Sequence, residues 1–154
     1  RGPMSAVSLR KIEHPAQQAI DDALALSFEF SKSPTLIGAA IAGLCRKAIE
    51  NALSDAIWET MLASESTHRE IEAQLSETHK LMDLLSLYLF KSSNQAGNVY
   101  EEIKHRFGPE YIETIKSVNA KSHGKPKIGE KVSDPKKTIR SCEKFIERIL
   151  DDFS

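Results

Sequence analysis

Between Leu44 and Ile57 the chain alternates in pairs. Arg46/Lys47, Glu50/Asn51 and Ser54/Asp55 are polar, and Leu44/Cys45, Ala48/Ile49, Ala52/Leu53 and Ala56/Ile57 fill the gaps. A strand alternates one by one, so it cannot produce this rhythm. A helix with one broad buried face does. Ser33 reads as a cap and Pro34 as the first helical residue. Gly38, Ala39, Ala40, Ala42 and Gly43 keep the first half of this helix thin enough for another helix to approach closely.

The rest of the chain follows the same period. Pro15 suits a first helical position. Ile20, Leu24 and Phe28 fall four apart, which predicts a helix ending near Ser31. Thr67 with Glu70 fits a capping box. Ile71, Leu75, Met82, Leu85 and Leu89 carry one helix to about Phe90. Asn98 with Glu101 caps a short helix, and Tyr111, Ile112, Ile115 and Val118 make another. Asn119 to Ser133 holds Gly124, Pro126 and Gly129 without a period and reads as a loop. Asp134 caps the last helix, whose stripe is Ile139, Cys142, Phe145, Ile146, Ile149, Leu150 and Phe153. No segment shows a strand period. The fold class is all-α: a helical bundle of four main helices plus one or two short ones.

Composition excludes several functions. The 154 residues are enough for one domain with a real core, and aromatics are only 6%, so that core is aliphatic. A net charge of −1 gives no global steering toward nucleic acid or membrane. The longest apolar run, Leu36 to Cys45, is far short of the roughly 20 residues that span a bilayer. Cys45 and Cys142 lie in separate apolar stripes and read as reduced core thiols of an intracellular, cytoplasmic protein. Arg1-Gly2-Pro3 before Met4 reads as a cloning remnant, with one domain over 4–154.

Glu65-x-x-His68 and Glu102-x-x-His105 match the ligand spacing of di-metal bundles. Polar neighbours surround the first pair, which is a surface signature, so no metal or other cofactor is expected. No P-loop, Rossmann or Ser-hydrolase signature occurs.

The stretch Lys116 to Arg140 carries eight Lys/Arg against two acids. A charge run is ordinarily a solvated face. Here it also surrounds His123, which is flanked by Lys121, Lys125 and Lys127. Imidazole exchanges protons near neutral pH. Lysines hold phosphate as point charges. Together these are the minimum for metal-free RNA cleavage: a base takes the 2′-hydroxyl proton, the oxygen attacks phosphorus, and cations stabilise the developing charge.

Asn119-Ala-Lys-Ser-His-Gly-Lys125 after an aliphatic helix, with a polar loop and an amphipathic last helix, resembles the HEPN superfamily, and most of all its RiboL-PSP-like branch. Asn119, His123 and Gly124 match the Asn, His and Gly of the motif R-N-x-x-x-H, and A-I-E-N-A-L (Ala48 to Leu53) resembles that branch's second helix. Val118 stands at the arginine position. Lys116 is the basic residue within the permitted spacing, and Arg46 or Glu50 falls near the branch's second-helix glutamate. The resemblance implies a homodimer and a metal-independent endoribonuclease of a bacterial defence or toxin–antitoxin system, with a protein partner or antitoxin. Its site would be His123, Asn119 and Lys116, with Lys121, Lys125 and Lys127 on RNA. The alternatives are a catalytically inactive HEPN-like module binding RNA or protein, and an interaction bundle unrelated to HEPN.

Overall fold

The computed structural model describes residues 15–78, 80–121 and 134–151, with the side chains of Ala120 and Lys121 left aside. Among these residues there are seven α-helices, two 3₁₀ turns and no strand. The helices are α1 (Pro15–Ser27), α2 (Pro34–Ala63), α3 (His68–Glu77), α4 (Leu81–Phe90), α5 (Val99–Arg106), α6 (Glu110–Lys121) and α7 (Pro135–Asp151). The all-α bundle is thus observed, and no helix among the described residues is long and apolar enough to cross a membrane.

The paired pattern makes α2 the axis of the molecule. It packs against α1, α3, α4, α6 and α7. Ala48, Ile49, Ala52, Leu53 and Ala56 are completely buried along it. Alanines let the neighbouring helices come close, and Ile and Leu fill the space between them.

Phe145 of α7 anchors the other side. Its ring stacks on Tyr111 at 5.3 Å and meets Phe107 edge-on at 5.9 Å. Phe145→Ala should destabilise the fold by about 3–5 kcal/mol, because it removes a fully buried ring and leaves a cavity. A denaturant midpoint unchanged from the parent chain would contradict that packing role.

Several ends depart from expectation for identifiable reasons. The helix expected from Thr67 to Phe90 is two helices. The Thr78 hydroxyl donates to the Gln74 carbonyl at 2.6 Å, and Thr78 and Lys80 are extended. That local bond competes with the helix ladder although the apolar period continues past it. The helix expected to end near Ser31 stops at Ser27, whose hydroxyl donates to the Leu24 carbonyl, and Phe30–Lys32 form a 3₁₀ turn. Neither Ser33 nor Asn98 makes a side-chain cap. The Asn98 amide donates to Gln95 instead, at 2.7 Å. Helix α6 runs through Asn119 to Lys121, where a loop is expected from sequence.

Other caps form where expected. The Thr67 hydroxyl accepts from the Glu70 N–H at 3.2 Å, but the Glu70 carboxylate accepts from that hydroxyl at 3.0 Å rather than from the Thr67 N–H, so the capping box is half made; Asp134 Oδ1 accepts from the Lys136 N–H at 3.0 Å. The two cysteines, from distant parts of the chain, meet where α2 packs on α7. The side-chain hydrogen bond with Cys45, and then burial, hold the Cys142 thiol well above the ordinary thiol range. Both thiols are fully buried, so neither is poised as a nucleophile.

Candidate nucleic-acid interface

Helix α6 carries the start of the basic stretch out of the bundle. Ile115 and Val118 are fully buried, and Tyr111 and Thr114 nearly so. These positions repeat at three and four, so one face is fixed against the core. Lys116 lies on the opposite, exposed side. Its ammonium sits 5.2 Å from the centre of the Tyr100 ring on α5, a cation–π contact that fixes where the charge stands. Burial raises the pKa of the Tyr100 hydroxyl, so the ring stays neutral beneath the lysine. Asn119, three residues along from Lys116, is half-buried. The structure therefore places Lys116 and Asn119 on neighbouring positions of one rigid helix.

Val118 decides what the motif's arginine position can hold. At 0% exposure it belongs to the core. A guanidinium there would lose its hydration inside the hydrophobic cluster that holds Val118. The cation nearest in sequence to that role is Lys116, roughly two-fifths of a turn away from phase with Val118 and facing outward.

Lys121 closes α6. His123, Lys125 and Lys127 lie outside the described residues. Arg46 and Glu50 form an ion pair on α2, Nε to Oε1 at 3.4 Å, with side chains only 18% and 27% exposed. Burial raises the Glu50 pKa, and Arg46 opposes that rise. The pair is a half-buried brace along the central helix.

The Glu-x-x-His pairs do not form ligand sets. Glu65 lies in the link before α3 with φ of 67°, and His68 meets Trp58 edge-on at 5.4 Å. Glu102 pairs with Arg106 at 3.4 Å. Among the described residues no group of three or more His, Cys, Asp or Glu is arranged to hold a metal ion.

Sequence reasoning missed two aromatics beside the basic stretch, the half-buried Tyr100 under Lys116 and an exposed phenylalanine. Phe28, at the end of α1, is 75% exposed, and the Lys136 ammonium lies 5.0 Å from its ring centre. No local signal announces this contact, because its two halves come from opposite ends of the chain. No protein-family model matches the chain, and no curated protein or solved structure is significantly similar to it.

Proposed function

We propose that this chain is a HEPN-like helical protein of a bacterial defence or toxin–antitoxin system that binds RNA phosphates along Lys116 to Lys127. In this reading His123 is the proton-transfer group of a metal-independent endoribonuclease. The observation that carries it is α6 itself: a helix anchored in the core by Ile115 and Val118 that presents Lys116 outward, with half-buried Asn119 at its edge, just before His123. Cations held on a rigid element stabilise phosphorane charge without reorganising at the moment of reaction. A single histidine supplies either the acid or the base, so a homodimer that brings two imidazoles to one cleft completes the chemistry.

Salt dependence tests the binding half. Each phosphate contact to a single strand contributes roughly 0.7 to the log–log slope of affinity against salt. Neutralising Lys121, Lys125 and Lys127 together should therefore flatten the slope by roughly 2. Binding absent at low salt, or indifferent to the triple change, would leave the basic stretch as a solvated face.

The burial of Val118 favours a second reading, a HEPN-like bundle that binds RNA or protein without cleaving. Product analysis separates the two. Cleavage in the presence of a chelator, leaving a 2′,3′-cyclic phosphate, belongs to the enzyme. Intact RNA bound with the same salt slope belongs to the module.

A further inference from the structure

We propose that Phe28 and Lys136 form a stacking platform for a base of single-stranded RNA, at the corner where the end of α1 meets the start of α7. The proposal rests on the reading that the chain binds RNA, and adds a site that the basic stretch does not contain in its own sequence.

The geometry begins with the antiparallel pairing of α1 and α7. The start of α1 (Ala16, Ile20) lines a shallow groove with the end of α7 (Ile146, Leu150), and at the opposite end Phe28 meets Lys136. Residues 116–140 include no Phe, Tyr or Trp, so on sequence alone the basic stretch offers no large ring for a base to stack on. The fold supplies an exposed ring from the turn after α1, beyond the half-buried Tyr100 beneath Lys116.

Phe28 has left the core entirely; its ring is 75% exposed and contributes nothing to the buried cluster. Above it stands the Lys136 ammonium at 5.0 Å, with exposed Lys137 beside it in the chain. The Asp134 carboxylate caps α7 through the Lys136 N–H, which fixes the backbone from which both lysines project. The nearby Glu29 is paired with Lys32 at 2.6 Å, so its charge is locally balanced. An exposed aromatic with adjoining ammonium groups suits a nucleotide: the base stacks on the ring, and the flanking phosphates meet the lysines. Stacking needs no base-edge hydrogen bonds, so the platform is tolerant of sequence.

The test uses the full-length chain carrying His123→Ala, so that binding is read without cleavage, and a labelled single-stranded uridine oligomer followed by fluorescence anisotropy. Phe28→Ala should weaken binding by roughly 5- to 150-fold and leave the salt slope unchanged, because it removes stacking and no charge. Phe28→Trp should retain binding, and its added indole emission should be quenched as the oligomer saturates. Lys136→Gln should flatten the slope by roughly 0.7. If the parent chain binds but Phe28→Ala changes nothing, the platform is wrong and the RNA reading stands. If the parent chain does not bind even at low salt, both fall. If Phe28→Ala leaves RNA affinity unchanged and instead lowers the sedimentation coefficient, the corner is a self-association surface and the platform is overturned.

Discussion

Replacing Val118 by arginine should unfold the chain rather than complete a catalytic motif. Val118 is fully buried on the inner face of α6. Arginine stays protonated at any accessible pH, so it cannot escape the core by neutralising. An unpaired buried ion costs several kcal/mol, against a total stability of about 5–15 kcal/mol for a typical domain. Thermal melting followed by circular dichroism should therefore show a large loss of melting temperature, or no cooperative transition. Lys116→Arg is the companion change. It stays on the surface, keeps its place over Tyr100, and supplies the planar two-point phosphate contact a lysine lacks. It should leave stability near that of the parent and raise any cleavage rate. A Val118→Arg chain that melts cooperatively at the parent temperature and cleaves RNA better would overturn this assignment of inner and outer faces.

The second large effect belongs to His123. A general acid or base is worth about 10²–10⁴ in rate. His123→Ala should lower any RNA cleavage by that factor, with the helical circular dichroism signal and the salt slope of binding preserved. Asn119→Ala should cost less, since its proposed part is to orient the phosphate or the histidine. Cleavage that persists unchanged in His123→Ala would remove the enzymatic reading and leave binding as the function.

What the sequence made legible follows from how far each cause reaches along the chain. The paired rhythm of α2 is a single-helix property, so its buried face could be read directly, and Val118 could be assigned to an inner stripe with Ile115. The Thr67 and Asp134 caps are equally local. The break at Thr78 was not legible, because a serviceable apolar period runs across it and one hydroxyl decides the matter. Helix α6 outlasts its apolar stripe by three residues because neither Gly nor Pro interrupts Asn119 to Lys121. The meeting of Phe28 with Lys136, and of Cys45 with Cys142, depends on which helices pack together. Periodicity says that a face is buried without saying against what.

The seating of α7 on the α1–α2 pair, antiparallel to α1, joins distant parts of the chain. Helices α1 and α2 adjoin in sequence, so their pairing closes only a short loop. Docking α7 on the same pair closes nearly the whole chain, at a larger entropic cost. Local contacts therefore form at less expense than the final seating of α7. The Phe28–Lys136 corner exists only when α7 is seated. A ligand held there binds the assembled state alone, and by mass action it would hold the C-terminal helix in place.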